Sequence, residues 1–269
     1  MAEWLYVIVL GILEGITEFL PISSTGHLIV ATQFLPIRDS LTGTFEIFIQ
    51  LGAVLAVLAH YRTELWHQFR TVQSNDNTQQ LWLGIVIAFL PSAMLGLLFE
   101  ESIAAWLFRP TVVAIALISG GLMFIGVERY VTATPDDESS VDDRPLTMQQ
   151  ALIVGVWQVL ALIPGMSRSG MSIIGGMMAG VDRQRATQFS FYLALPTLGA
   201  ATIYTLLRNI SHLNSSSLGL LFLGTLVSGI VAWASIGWLL RYVARNSFIP
   251  FGYYRIVIGF VILILHFIL

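Results

Sequence analysis

The chain has 269 residues, 56% hydrophobic and 11% charged, with a mean hydropathy of +0.78 and a formal net charge of −3. Soluble domains carry about 25% charged residues, so an aqueous globular enzyme is excluded, and the acidic balance excludes a nucleic-acid binder. Cysteine is absent and all 13 basic residues are arginine, which excludes disulfide scaffolds, thiol catalysis, Schiff-base chemistry and P-loop chemistry. What remains is an all-α polytopic membrane protein.

In chain order, the first apolar stretch runs over residues 4–35. No basic residue precedes Trp4, and the stretch contains Glu14 and Glu18, so it does not read as a cleavable signal. It is broken by PISSTGH at 21–27. A span is expected over 41–59, carrying Glu46, and further spans over 81–99 and 111–127. The loop 128–147 is acidic, with Pro135, Asp136, Asp137 and Glu138 in a row. A second apolar stretch, 148–180, is broken by PGMSRSG at 164–170. Spans over 186–207, 218–240 and 247–269 complete the chain, which makes six transmembrane helices. The pieces flanking each break are roughly 10 to 17 residues, too short to cross a bilayer that needs about 20. Paired, they read as two re-entrant helix–loop–helix hairpins, whose irregular backbone is tolerated only inside protein or beside a wet cavity.

The two halves echo each other. A shift of 144 residues pairs Gly11 with Gly155, Glu14 with Gln158, Phe45 with Phe189 and Leu51 with Leu195; Ser24 and Ser167 fall one residue out of that register. The chain therefore reads as a single membrane domain over 1–269. Its halves, about 1–130 and 146–269, are joined by the acidic loop 128–147. Each half is one hairpin and three spans. An odd number of crossings inverts the second half, giving an inverted-topology repeat. Arginines 62, 70, 129, 144, 183, 185, 241 and 245 fall on one side, against 38, 109 and 208 on the other. The richer side is expected to be cytoplasmic. Both termini then lie outside, the first hairpin enters from outside and the second from the cytoplasm, so that their tips meet.

Ionisable residues at membrane depth are costly and mark function. Glu14 and Glu18 are four apart and share a helix face; carboxylates this close favour a bound cation or a shared proton. Ser23, Ser24, Thr25 and His27 lie in the break, where a helix N-terminus suits an anion such as phosphate; plain N-capping is the alternative use of such hydroxyls. The second break supplies Ser167, Arg168 and Ser169, with Ser172 close behind. Arg168 needs an anionic partner: Glu14 or Glu18, or a substrate phosphate held by the guanidinium fork. Glu46 is open between assisting the site and facing the surface. Arg255 is expected to snorkel near the cytoplasmic end of the last span. Such a set suits a lipid-borne phosphate substrate with a divalent cation.

The run EGITEFLPISSTGH at 14–27 resembles the first signature of the undecaprenyl-diphosphate phosphatase family of the bacitracin-resistance type, and PGMSRS at 164–169 resembles the second. The similarity extends along the chain through 45–50, 189–196 and 251–255; Ser172 stands where the family pattern carries threonine. The resemblance implies a multi-pass protein of the bacterial inner membrane, with its site facing the periplasm. It implies hydrolysis of undecaprenyl diphosphate to undecaprenyl phosphate and inorganic phosphate, recycling the lipid carrier for cell-wall synthesis and conferring bacitracin resistance. Magnesium or calcium is the implied cofactor, held by Glu14 and Glu18, and a homodimer is among the implied assemblies. Glu18, Ser24, His27 and Arg168 are the expected catalytic set. Ser23, Thr25, Ser167, Ser169 and Ser172 are expected to bind substrate. Either Ser24 or water attacks, with His27 or Glu18 taking the proton; Ser24 assisted by His27 is preferred. The alternative from a different class is a transporter or flippase of a polyprenyl phosphate lipid, because broken helices in inverted repeats also build transporters.

Overall fold

The computed structural model describes residues 3–34, 44–133, 145–209 and 218–268. The acidic run at 135–140, Arg38, Arg144 and the outer ends of three expected stretches (residues 35, 41–43 and 269) lie outside the described residues. Among those described, every regular element is helical: α1 (Glu3–Thr17), α2 (Ser24–Phe34), α3 (Thr44–His60), α4 (Arg62–Thr71), α5 (Asp76–Leu98), α6 (Glu100–Leu107), α7 (Pro110–Ala133), α8 (Met148–Val159), α9 (Arg168–Met178), α10 (Arg183–Asn209), α11 (Leu218–Val243) and α12 (Ile249–Ile268).

Five helices, α5, α7, α10, α11 and α12, are long and apolar enough to cross a membrane, and a sixth crossing is reached if α3 and α4 count together. The expected span over 41–59 is not followed by a bare loop. The chain bends by 69° between α3 and α4. The physical reason is compositional: after Ala59, the run HYRTELWHQFR carries charge or amide groups on every face, with Trp66 and Phe69 as its large exposed apolar residues. The short helix α6 likewise occupies a stretch expected to be loop.

Both broken stretches are helix pairs. α1 packs on α2 across a break at 18–23, and α8 packs on α9 across one that opens with a 3-10 turn, Leu160–Leu162. A capping box starts α8: Thr147 Oγ1 accepts from Gln150 N at 3.2 Å, and the Gln150 side chain accepts from Thr147 N at 2.9 Å. Residues 169–177 of α9 are all buried, enclosed by α7, α8 and α10. Phe19, Met171, Ile173, Ile174 and Phe191, each with 0% exposure, place the core beside the two breaks.

Close helix contacts set this packing. A Cβ on Gly15 of α1 would lie 2.7 Å from Ser228 O of α11, and one on Gly155 of α8 would lie 2.7 Å from Ala88 O of α5. Small residues let backbones approach where lipid removes the hydrophobic drive between helices. Exchanging the two halves maps the α1–α11 contact onto α8–α5, while α7–α12 and α3–α10 each map onto themselves.

Candidate active site

Leu20, Pro21 and Ile22 are buried at the first break, and Pro164, Gly165 and Met166 at the second. Gly165 has φ +100°, and a Cβ there would press on Val113 O, so glycine alone suits the turn. Each break ends on a serine with positive φ, Ser23 at 72° and Ser167 at 73°. Such backbone costs on the order of 1–3 kcal/mol for a residue other than glycine and persists only where its surroundings impose it. Both serines cap the helix they open. Ser23 Oγ accepts from Gly26 N at 3.4 Å, and Ser167 Oγ accepts from Gly170 N at 3.1 Å. Thr25 is half-buried in the first turn of α2.

The tips meet at Glu18, which is 7% exposed. Ser24 Oγ donates to Glu18 Oε2 at 2.6 Å, and Arg168 Nη2 donates to Glu18 Oε1 at 3.2 Å. One carboxylate thus holds a hydroxyl from its own half and a guanidinium from the other. Arg168 is braced further: Nη1 donates to Ser190 O at 2.9 Å, and the guanidinium lies 5.6 Å from the Phe19 ring centroid. Ser172 Oγ is 2.7 Å from Ser190 Oγ and also donates to Arg168 O at 2.9 Å. Ser169 Oγ donates to Leu20 O at 3.2 Å and lies 3.1 Å from Ser167 Oγ. The expected residues of the second tip are therefore together, with Ser169 bonded across to the first break.

His27 is placed differently from its expected role beside Ser24. Its Nδ1 is 2.8 Å from Ser23 O, and its Nε2 is 2.7 Å from Tyr254 Oη. Ser24 instead gives its hydroxyl proton to a bond with Glu18. Glu46 lies on α3 with an exposed side chain.

Glu14 is 0% exposed, and both its carboxylate oxygens lack a hydrogen-bond partner. A buried carboxylate left so demands a proton or a cation. Among the described residues no cluster of three or more His, Asp or Glu side chains forms a metal site. Two carboxylates from adjacent helix turns nevertheless fit a hard divalent cation, which takes one or two protein carboxylates and completes its shell with water and substrate phosphate. The counterpart of Glu14 in the second half, Gln158, is neutral, and its Nε2 donates to Ser92 Oγ at 2.7 Å.

Three contributors escape the sequence reading. Ser190 and Tyr254 reach the site from α10 and α12. Arg255 does not snorkel: it is 0% exposed. Its Nη1 donates to Pro21 O at 3.0 Å, and its Nη2 to Gly165 O and Met166 O, both at 2.9 Å. One guanidinium thereby ties the first break to the second. Its signal in the sequence was the polar YYR cluster inside an otherwise apolar span.

Comparison with known proteins agrees with the motifs. A family model described as bacitracin resistance protein BacA matches residues 7–261. A protein named undecaprenyl-diphosphatase from Deinococcus radiodurans is 46% identical over 269 residues, covering 98% of this chain and 95% of its own. Undecaprenyl-diphosphatase 1 from Burkholderia cenocepacia is 45% identical over 267 residues, with 97% and 96% covered. The protein of that name from Chromobacterium violaceum is 46% identical over 257 residues, with 95% and 94% covered.

Proposed function

The chain belongs to the bacitracin resistance protein BacA family, and on that premise we propose that it is a multi-pass membrane phosphatase. It removes the terminal phosphate of undecaprenyl diphosphate, releasing undecaprenyl phosphate and inorganic phosphate, and so contributes to bacitracin resistance. The observation that carries the reading is the Glu18 carboxylate, which accepts from Ser24 on one oxygen and from Arg168 on the other.

In the proposed reaction the diphosphate enters between the tips, with its polyprenyl tail among the apolar helices. Arg168 and the first N–H groups of α2 and α9 hold the terminal phosphoryl group. Ser24 Oγ attacks that phosphorus while its proton passes to Glu18 Oε2. The anhydride P–O bond breaks, and its electron pair leaves with undecaprenyl phosphate. Water then attacks the phosphoserine, and its proton passes to His27. The serine P–O bond breaks, Ser24 regains its proton from Glu18, inorganic phosphate departs, and His27 releases its proton to solvent. A divalent cation held by Glu14 and Glu18 supplies positive charge against the diphosphate oxygens.

The proposed topology has six crossings and two re-entrant hairpins in an inverted repeat of halves 1–130 and 146–269. Both termini face outside, and the site opens to the outer face of the bacterial inner membrane. The matched capping at Ser23 and Ser167 and the exchange of α1–α11 with α8–α5 support the repeat. A homodimer belongs to the same proposal.

The matched halves also favour a second reading, in which the protein carries a polyprenyl phosphate across the membrane. The two readings separate in one assay. Purified protein in detergent is given undecaprenyl diphosphate with magnesium or calcium, then EDTA. Cation-dependent phosphate release is expected from a hydrolase. No release from folded, substrate-bound protein would move transport to first place.

A further inference from the structure

His27 closes the first signature run at 14–27 and pairs with Tyr254, which lies outside both runs. Ser23 O is a carbonyl and can only accept, so His27 Nδ1, 2.8 Å away, carries a proton. In the neutral ring Nε2 is then an acceptor, and the Tyr254 hydroxyl, 2.7 Å away, donates to it. The two rings lie nearly parallel, 5° apart in plane, with centroids separated by 5.5 Å. Both ring nitrogens are thus fixed, and so is the ring plane. Ser24–Glu18 is a buried bond, whereas His27–Tyr254 is exposed and Tyr254 itself is 41% exposed. The Tyr254 hydroxyl seated on the unprotonated nitrogen therefore lies on the open side of the site, where water arrives.

Tyr254 owes its place to its neighbour. Arg255 is clamped onto Pro21 O, Gly165 O and Met166 O. That clamp sets the register of α12 against both tips, and Tyr254 follows from it.

We propose that Tyr254 is a proton relay between the attacking water and His27. Its hydroxyl, which donates to His27 Nε2, passes its own proton to that nitrogen while its oxygen takes the proton of the attacking water, so one O–H bond breaks as another forms. This inference rests on the hydrolase reading. Tyr254 acts through His27, so its effect must vanish when His27 is gone.

The test is a double-mutant cycle on full-length protein in detergent, using undecaprenyl diphosphate with magnesium. Wild type, Tyr254→Phe, His27→Ala and the double variant are compared. Phenylalanine keeps the stacked ring and removes only the hydroxyl, and an unchanged melting temperature checks that it folds as wild type does. The expected result is a kcat lowered about tenfold in Tyr254→Phe with KM unchanged, as part of the roughly 10²–10⁴-fold that a positioned base contributes. No further loss is expected when Tyr254→Phe is added to His27→Ala. A Tyr254→Phe enzyme with wild-type kcat would overturn the inference alone. So would an equal loss in both backgrounds, which would mean that the hydroxyl acts independently of His27. Absence of phosphate release from wild type would overturn the hydrolase reading and this inference together.

Discussion

Ser23 and Ser167, 144 residues apart, hold the same left-handed backbone, with φ 72° and 73°, and each caps a helix through its own hydroxyl. The match is one residue away from the pairing of Ser24 with Ser167 that the motifs invite. It aligns Ser24 with Arg168 instead, so the same structural position carries the hydroxyl in one half and the guanidinium in the other. Substituting Ser167 by alanine keeps the strained backbone and loses the cap, and is expected to cost about 1 kcal/mol. Ser167→Gly relieves the backbone and loses only a few tenths for the cap. Thermal unfolding in detergent should therefore rank glycine above alanine.

Arg168→Ala leaves Glu18 buried without its cation. Removing one partner of a buried pair costs about 3–5 kcal/mol, so a lower melting temperature and loss of turnover should appear together. Glu18→Gln keeps the volume and one acceptor for Arg168. It should retain the fold while phosphate release falls by about 10²–10⁴-fold, the range for a lost proton acceptor. Comparing melting curves with kcat separates the two variants.

Glu14 shares the proposed cation site with Glu18. Glu14→Gln imitates Gln158 of the second half and should fold. Wild type should gain thermal stability with added magnesium or calcium, by about 2.7 kcal/mol at one hundred times the dissociation constant. Glu14→Gln should lose most of that gain. An equal gain in the variant would place the cation elsewhere.

Arg255→Met removes the donors that serve Pro21 O, Gly165 O and Met166 O. Each buried carbonyl left without a donor costs on the order of 1–3 kcal/mol. Arg255→Lys presents one compact ammonium where a planar fork is needed. Both variants are expected to melt earlier, with lysine the milder, and hydrogen exchange should rise at both breaks at once.

Five of the six expected spans and the two broken stretches were legible because they rest on local signals, apolar runs and Pro–Gly–Ser interruptions. The first-tip acids and the second-tip arginine stood out for the same reason, as charges where lipid forbids them. The direction of the Ser24 hydroxyl was not legible: Glu18 and His27 both lie within reach in sequence, and only the folded tip sends the hydroxyl to Glu18. Arg255 misled because an arginine near a helix end normally reaches for the surface, and its buried carbonyl partners come from α7 and both breaks. The bend into α4 was missed because a polar run after a span looks like a loop until its helical phase is seen.

The most direct measurement is phosphate release from undecaprenyl diphosphate by wild type and Glu18→Gln, purified in parallel and shown to be equally folded. Cation-dependent release is expected from wild type, with a rate at least about 100-fold lower from the variant. Wild-type rates from Glu18→Gln would overturn the role of Glu18, and no release from either protein would overturn the hydrolase reading.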